Sequence, residues 1–338
     1  MLRFNNDYNQ TAHEAVLKIM TESAAGNFAG YGADECCEKA AELIRDLVKA
    51  PTAAVHFIPG ATQTNLIVIA AALSPIQSVI CADTGHINAH EAASIENTGH
   101  KIIALPNTDG KITAAQIEGE AAKYYQDGEA EYLTEPRLVY ISFPTEFGTL
   151  YSLTELQAIA AVCRKYKLIL FVDGARMGYG LGADGNDVTL PDLAALADAF
   201  YIGGTKCGCM FGEALVITDK NLQRKFKTYM KQNGAVLAKG WLLGMQFYAL
   251  LKDGLYFTIT RRAAELAMRL QAAFRAKGIK EAVVSPTNQQ FVVLTAEQKA
   301  QLAKEFIFEE MGELTRFCTS WGTKEEDVQT LIAAIERL

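Results

Sequence analysis

The stretch KLILFVDGARMG, residues 167–178, decides the predicted fold. It begins with an apolar run as long as a buried strand, ends that run at Asp173, and turns through Gly174 to Arg176. A continuous apolar run bounded by turn residues is typical of a strand that is covered on both faces of a parallel sheet. We therefore predict a buried strand here, whose carboxyl end carries a charged turn.

The same pattern recurs along the first two thirds of the chain, where short apolar runs alternate with helical patterns. The other predicted strands are AAVHFI (53–58), SVICA (78–82), KIIAL (101–105), RLVYISF (137–143), DAFYIG (198–203) and EALVIT (213–218). The predicted helices between them are CEKAAELIRDLVKA (37–50), NLIVIAAALS (65–74), INAHEAASIE (87–96), AAQIEGEAAKYYQD (114–127) and LTELQAIAAVCRKY (153–166). This alternation predicts an α/β fold with a mostly parallel seven-stranded sheet covered by helices.

The pattern changes after about residue 220, where a long helical region is followed by short strands and helices. This change predicts a smaller α+β domain at the carboxyl end. We divide the chain into an N-terminal segment that contributes to the site (1–13), a large domain (14–245) and a small domain (246–338). Because no linker is rich in Pro, Gly or Ser, the domains are expected to dock tightly.

Composition narrows the classes of partner. The 338 residues carry a net charge of −7, which argues against a broad face for nucleic acid. No apolar run reaches the roughly 18 residues of a membrane span, and the N-terminus lacks the apolar centre of a signal peptide. The seven cysteines form no CxxC pair. Free thiols in a reducing cytoplasm are the simplest expectation, with neither nucleic acid nor membrane as a partner.

The first candidate binding residues follow the strand in HFIPGATQTNLIVIA, residues 56–70. Gly60, Ala61 and Thr62 would begin a helix whose free N–H groups suit an anion such as phosphate. Threonine and asparagine at a helix start also suit an ordinary cap, so this loop alone leaves both interpretations open.

Asp173 and Lys206 each end a predicted strand in an apolar setting. A buried carboxylate is costly unless it is paired, and Asp173 has two candidate partners, a cationic ring nitrogen or an internal ion pair with Arg176. Lys206 is the only charged side chain between Asp198 and Glu213. Burial would lower its pKa and make it a nucleophilic amine, whereas a lysine that reaches solvent would be an ordinary surface residue.

Taken together, these loops meet the needs of pyridoxal 5′-phosphate: a helix start for the phosphate, a carboxylate for the ring nitrogen and an amine for the aldehyde. Two competing interpretations are weaker. GLGADG (180–185) matches a dinucleotide-binding pattern, but no helix is predicted to open at its third glycine. His86 and His90 have the spacing of a metal pair, but no third ligand is evident, so no metal is predicted.

With DGAR (173–176), GTK (204–206) and ATQTN (61–65) in place, the chain resembles the L-threonine aldolase branch of the β-eliminating lyase family. Members of this branch are fold-type I pyridoxal phosphate enzymes. The likeness runs nearly end to end and includes FNNDY (4–8), YGAD (31–34), DTGHINAHEAA (83–93), PTEFGTLYSLTEL (144–156) and LTRFCTSW (314–321).

The resemblance implies a role for each matching residue. Lys206 would carry the cofactor covalently, Asp173 would hold its ring nitrogen, and His86 would stack on the ring and take the proton of the substrate β-hydroxyl. The phosphate would be held at Gly60, Ala61, Thr62 and Thr205. The remaining cofactor oxygens and the substrate carboxylate would be held by Asn6, Arg176 and Arg316.

The implied activity is retro-aldol cleavage of L-threonine and L-allo-threonine to glycine and an aldehyde such as acetaldehyde. The alternatives are a β-eliminating lyase, an aldolase for another β-substituted amino acid, and a catalytically silent protein that binds the same cofactor. The resemblance also implies a homodimer or homotetramer with sites at the dimer interface, where Tyr31 and Lys239 could reach the neighbouring site.

Two residues depart from the family's pattern. Some members carry a second active-site histidine in the loop that here reads PTEFG, and this chain has Glu146 at about that place. This departure bears on the selection between threonine and allo-threonine. Cys207 follows the lysine where Asn or Gly is common, and its thiol either packs or makes the protein sensitive to oxidation.

Overall fold

Strands and helices alternate in the computed structural model, which describes all 338 residues. The strands are β1 (Leu2–Arg3), β2 (Ala54–Ile58), β3 (Gln77–Ala82), β4 (Lys101–Leu105), β5 (Glu135–Ser142), β6 (Ile169–Asp173), β7 (Ala199–Gly203), β8 (Glu213–Ile217), β9 (Glu281–Val283), β10 (Gln289–Val292), β11 (Phe306–Ile307), β12 (Glu309–Met311) and β13 (Leu314–Cys318). The helices are α1 (Glu14–Glu22), α2 (Glu35–Leu47), α3 (Ala61–Ala72), α4 (His86–Ala89), α5 (Ala114–Gln126), α6 (Leu153–Tyr166), α7 (Met177–Leu181), α8 (Leu190–Leu196), α9 (Lys220–Gln223), α10 (Phe226–Gln232), α11 (Trp241–Leu251), α12 (Leu255–Ala276), α13 (Ala296–Leu302) and α14 (Glu325–Glu336). No helix combines the length and apolar character needed to cross a bilayer.

The seven predicted strands form one sheet, in the order β2-β8-β7-β6-β5-β3-β4. Strands β3 to β7 are parallel to their neighbours, whereas β8 runs antiparallel to both β7 and β2. β8 is reversed because the chain turns back directly between Gly203 and Glu213 instead of crossing over through a helix. The prediction of a mostly parallel seven-stranded sheet is confirmed.

Both faces of this sheet are covered, which explains the continuous apolar runs. Along β6, the side chain of Phe171 faces one core and those of Leu170 and Val172 face the other. Helices α3 and α10 pack on the Phe171 face, and α2, α6 and α11 pack on the opposite face. The candidate site residues of this layer, Asp173 and Lys206 among them, lie at or just beyond the strand ends.

The C-terminal part contains a second, antiparallel sheet of four strands in the order β12-β13-β10-β9. Its core includes side chains of α12, α14 and the N-terminal residue Phe4. The N-terminal segment is tied to this part because β1 pairs with β11 and the amide of Cys318 donates to the carbonyl of Phe4. The domain division stays a proposal. Its boundary between residues 245 and 246 lies inside α11, which packs into the larger core.

The predicted helix INAHEAASIE (87–96) is wrong. Only one turn forms, from His86 to Ala89, and Ala92 and Ala93 then adopt positive φ angles of 49° and 58°. Left-handed residues cannot continue a right-handed helix. The chain turns here because Glu91 points inward to hydrogen-bonding partners, which are described below.

Candidate active site

A pocket lies beyond the carboxyl ends of β5, β6 and β7. Open α/β sheets bind ligands at this edge. The residues that line it are Ala61, His86, Ser142, Pro144, Thr145, Glu146, Asp173, Ala175, Arg176 and Lys206. The fold thus brings five predicted site residues, Ala61, His86, Asp173, Arg176 and Lys206, to one cavity.

Glycines allow the two turns that carry Asp173 and Lys206 to pack against each other. A Cβ atom on Gly174 would lie 1.7 Å from the carbonyl oxygen of Tyr201, and one on Gly204 would lie 2.6 Å from the carbonyl oxygen of Gly212. Neither contact is compatible with a side chain. The glycines of DGAR and GGTK are therefore required by close backbone approach.

Asp173 is buried and is held by three donors. Its Oδ2 accepts from the Tyr140 hydroxyl at 2.6 Å and from Asn65 Nδ2 at 3.0 Å, and its Oδ1 accepts from the Ala175 amide at 2.9 Å. Burial alone would raise the pKa of Asp173, but the charge of His86 and the hydrogen bonds lower it below its ordinary value. The side chain is therefore an ionised carboxylate that faces the cavity.

Arg176 pairs with Asp7 and not with Asp173. Its Nε and Nη2 donate to the two carboxylate oxygens of Asp7 at 2.7 Å and 3.0 Å, in a bidentate geometry. Burial would raise the pKa of Asp7, but Arg176 and Lys206 lower it to about 2. The alternative of an internal Asp173–Arg176 ion pair is therefore wrong, and Asp173 keeps no protein cation as its direct partner.

Lys206 presents an amine to the cavity. Its Nζ makes no hydrogen bond or ion pair within the protein, whereas its backbone carbonyl accepts from the Tyr179 hydroxyl at 2.6 Å. Burial lowers the pKa of Lys206 and the charge of Arg176 lowers it further, although the carboxylates of Asp7 and Asp173 offset part of the effect. This is the desolvated setting that favours a neutral, nucleophilic amine.

Helix α3 begins beside the cavity without a side-chain cap. Gly60 occupies the cap position and offers no oxygen, and Thr64 Oγ1 donates to the Gly60 carbonyl at 2.9 Å instead of capping the helix. The first amides, from Ala61 onward, remain free for an anion. Thr205, in the turn after β7, accepts from the Gly212 amide at 2.9 Å, and its hydroxyl donates to the carboxyl of Glu213. The interpretation of this loop as an ordinary capped helix is not supported.

His86 begins α4 and is oriented by a buried carboxylate. Its Nδ1 lies 2.7 Å from Glu91 Oε1, so this nitrogen donates and Nε2 is left free. Glu91 also accepts from Asn65 Nδ2 at 2.7 Å and from the Ser94 hydroxyl at 2.9 Å. Because Asn65 donates to Asp173 as well, a continuous chain of hydrogen bonds links the imidazole to the carboxylate at the end of β6.

Glu146 is the second carboxyl of the cavity. Its Oε1 accepts from the Ser142 hydroxyl at 2.6 Å and from the backbone amide of His86 at 2.9 Å. Burial raises the pKa of Glu146, and the hydrogen bonds offset this only in part. The residue therefore occupies the cavity wall as a carboxyl that is more easily protonated than usual.

Arg316 and Asn6 are not among the residues that line the cavity. Arg316 Nη1 donates to Gln289 Oε1 and its Nη2 to the carbonyl of Asn5, both at 3.0 Å, and Nη2 also pairs with Glu309. Its Nε is buried without a partner. An orphaned N–H on a buried guanidinium is a vacant position for an anionic oxygen.

The sequence analysis missed three residues that shape this site: Asp7, Glu91 and Tyr140. Tyr140 could have been found, because strand alternation places it two residues before Ser142, on the face of β5 that reaches Asp173. Glu91 was missed because it lies in the segment that was predicted to be a helix. Asp7 left no local signal, since its partner Arg176 lies 169 residues away.

The cysteine beside Lys206 packs in the interior. Cys207 is fully buried, and burial raises its pKa to about 12. A buried thiol of this kind is a poor nucleophile and a poor target for oxidation. The structure therefore favours the packing interpretation over sensitivity to oxidation.

We expect at most one thiol per native chain to react rapidly with a disulfide reagent such as dithionitrobenzoate. Cys36 is the only cysteine that is not buried. All seven should react after denaturation, which serves as the internal control. Rapid modification of Cys207 in the native protein, located by peptide mass spectrometry, would contradict this packing.

A family model, curated relatives and a solved structure are similar to this chain over most of its length. The family model described as Beta-eliminating lyase matches residues 6–297. A low specificity L-threonine aldolase of Pseudomonas aeruginosa is 30% identical, with 97% of this chain and 94% of that protein covered. One from Pseudomonas sp. (strain NCIMB 10558) is 29% identical over 98% and 96%. A Leishmania major threonine aldolase structure superimposes with a TM-score of 0.96 at 42% identity, covering 100% of this chain and 99% of that one.

Proposed function

Because this chain belongs to the β-eliminating lyase family, we propose that it cleaves the Cα–Cβ bond of L-threonine and L-allo-threonine. The products are glycine and acetaldehyde, and other β-hydroxy-α-amino acids release the corresponding aldehyde. The proposal draws on the two Pseudomonas relatives and on the Leishmania structure, whose names state threonine aldolase.

One observation carries the proposal: an amine with a lowered pKa and an ionised carboxylate face the same cavity. Lys206 has a lowered pKa and a free Nζ, while Asp173 is kept ionised by the donors around it. Pairs of titratable groups whose surroundings shift their pKa values apart are typical of catalytic sites. A protein that only packed these residues would not leave both without a direct ionic partner.

The residues fit pyridoxal 5′-phosphate. Lys206 suits its aldehyde, Asp173 suits its ring nitrogen, and the uncapped start of α3 with Thr205 suits its phosphate. When bound, this cofactor supplies an electron sink for the bond that breaks at Cα. Every other contribution comes from the side chains of the chain itself.

His86 is the group that we assign to the proton of the β-hydroxyl. Its Nδ1–H donates to Glu91, which fixes the ring and leaves Nε2 as an acceptor on the cavity side. Removal of the hydroxyl proton drives release of the aldehyde, and a positioned imidazole contributes about 10²–10⁴-fold to such a transfer.

Arg316 is the group that we assign to the substrate carboxylate, with Asn6 nearby. The unpartnered Nε of Arg316 offers an N–H donor, and its planar guanidinium suits two carboxylate oxygens. Anchoring the carboxylate orients the substrate so that the Cα–Cβ bond is the one to break. Glu309 holds the same guanidinium here and must share it with the substrate.

The proposal is tested by incubating the purified protein with L-threonine, L-allo-threonine, L-serine and L-phenylserine and identifying the products. Glycine with acetaldehyde from the first two supports it. Pyruvate with ammonia from serine, without glycine, would indicate a β-eliminating lyase. Cofactor binding without any turnover would indicate a silent binding protein.

Replacing Glu91 with glutamine is expected to lower the cleavage rate by about tenfold, because a neutral amide orients the imidazole of His86 less strongly than a carboxylate does. The kinetic constants separate this role from a structural one: kcat should fall while KM changes little, because the substrate carboxylate is assigned to Arg316. An unchanged kcat would contradict a positioning role, and Glu96→Gln, a glutamate in the same loop that does not contact His86, serves as the matched control.

We also propose a homodimer or homotetramer with sites at the interface, in a reducing cytoplasm. Tyr31 is half exposed beside a surface pocket, which is the kind of surface that a second copy would cover. All seven cysteines are free thiols, as expected in a reducing compartment. Light scattering of the purified protein measures the assembly, and a monomer at micromolar concentration would refute it.

A further inference from the structure

Glu213 is a buried carboxyl that the proposed reaction leaves without a role. It begins β8 and is only 2% exposed. In the sheet register it lies between Ile58, at the end of β2, and Gly203, at the end of β7. The chain that follows Ile58 begins α3, and the chain that follows Gly203 leads to Lys206. Glu213 thus stands between the two segments that are proposed to hold the cofactor.

The side chain points to the face of the sheet on which α3 packs. Strand alternation places Glu213 on the same face as Leu215 and Ile217, which belong to the core that includes α3. Its Oε2 accepts from the amide of Gly204 at 3.0 Å. The carboxyl is therefore fixed directly beside the turn that carries Thr205.

Few charges surround this carboxyl. The positive charge of Lys206 and the negative charge of Asp173 both act on it, while α3 contributes no ionisable side chain. Tyr201 and His56, on neighbouring strands, are neutral near pH 7, since burial raises the pKa of the phenol and lowers that of the imidazole to about 4.

Burial raises the pKa of Glu213 to about 8, even though the hydrogen bonds of Thr205 and Gly204 and the charge of Lys206 oppose the shift. An isolated buried carboxyl is expected to behave in this way. Near neutral pH it is therefore largely the neutral acid, which can donate a hydrogen bond as well as accept one.

We propose that Glu213 is a proton-carrying residue of the phosphate site: its carboxyl is protonated whenever the phosphate group is bound at the start of α3. This inference rests on the proposed function, because it takes the cofactor to be a phosphate ester. One proton passes from solvent to the carboxylate, and no covalent bond other than O–H forms or breaks.

The reason is like-charge repulsion in a buried setting. A bound phosphate dianion beside a carboxylate raises the pKa of that carboxyl further. In the protein without bound anion, the pKa of Glu213 is about 8. Above this pH, binding of the phosphate must therefore be accompanied by uptake of a proton at Glu213. Because binding is linked to this protonation, the affinity for phosphate falls by up to about tenfold for each unit that the pH rises above 8. Below it, the carboxyl is already protonated and the dependence vanishes.

The test measures binding of inorganic phosphate to the cofactor-free full-length chain between pH 7 and 9.5, in wild type and in Glu213→Gln. The introduced amide keeps an acceptor for Gly204 but cannot titrate. We expect the ratio of wild-type to variant affinity to be constant below pH 8 and to fall by up to about tenfold per unit above it. Using the ratio cancels the titration of phosphate itself.

Asp198→Asn is the matched control. Asp198 is a half-buried carboxyl with a raised pKa that precedes the opposite end of β7. This variant should keep the wild-type pH dependence. A ratio that does not change with pH overturns the proposal.

Calorimetry of the wild type keeps the proposal falsifiable if the glutamine variant does not fold. Phosphate binding at pH 9, measured in buffers of different ionisation enthalpy, should show uptake of about one proton. No uptake overturns the proposal. A protein that shows this uptake but cleaves no β-hydroxy amino acid would refute the proposed function and leave Glu213 in its role.

Discussion

Lys206→Ala is expected to lower the cleavage of L-threonine by at least about 10³-fold, because it removes the only amine in the cavity. The loss should appear in kcat, since the substrate carboxylate is assigned to Arg316, which this change leaves in place. Stability should change little. The Nζ atom makes no hydrogen bond or ion pair within the protein, so its removal leaves no buried partner unsatisfied.

Two further variants test whether the activity depends on the amine of Lys206 or only on its positive charge. Lys206→Arg keeps a positive charge but supplies no nucleophile, and it should be as inactive as the alanine variant. Lys220→Ala removes an exposed lysine at the start of α9 and should retain full activity. Borohydride reduction followed by peptide mapping gives a readout that is independent of turnover. Cofactor found on any lysine other than Lys206 would refute the assignment.

The strand end at Asp173 shows why much of the site could be predicted. A parallel sheet buries both faces of each strand, so a charged residue can appear only where the strand ends. Each interruption of an apolar run therefore marked both the boundary of a strand and a candidate site residue. Asp173 and Lys206 both line the cavity for this reason.

Side-chain partners were less predictable than positions. Arg176 lies three residues from Asp173 in the sequence, but it binds Asp7, which the N-terminal segment carries across the molecule. Such a pairing depends on how β1 joins the C-terminal part, and no local pattern contains that information. The neighbours of Glu213 were equally unpredictable from the sequence, because they depend on the order of the strands in the sheet.

The helix predicted after His86 does not form, for a related reason. Its composition favours a helix, but the buried hydrogen bonds of Glu91 to His86 and Asn65 turn the chain inward. Tertiary contacts thus override helix propensity over Ala92 and Ala93. Local conflict of this kind is concentrated at functional sites.

Asp173→Asn is expected to lower cleavage by about 10²–10⁴-fold while leaving the fold intact. Asparagine keeps the shape of the side chain but removes the charge that is assigned to the ring nitrogen, and a loss of about 3–5 kcal/mol of transition-state stabilisation corresponds to this range of rates. The hydrogen bonds of Tyr140 and of the Ala175 amide help to hold the pKa of Asp173 below its ordinary value, so the wild-type carboxylate stays ionised and the loss should be similar across the neutral pH range. Steady-state kinetics with L-threonine at pH 6, 7 and 8 measures the loss.

The hydrogen bonds around Asp173 show that Asp173→Asn needs a control for lost stability. Oδ2 accepts from Tyr140 and Asn65 and Oδ1 accepts from Ala175, so an asparagine must turn its NH₂ toward a donor. That mismatch costs about 1–3 kcal/mol of stability, which denaturant unfolding detects. Asp198→Asn faces a similar mismatch at the amide of Leu170, outside the cavity, and should lose stability without losing activity. Cleavage by Asp173→Asn within threefold of wild type, at full cofactor content, would show that the carboxylate does not balance the ring nitrogen.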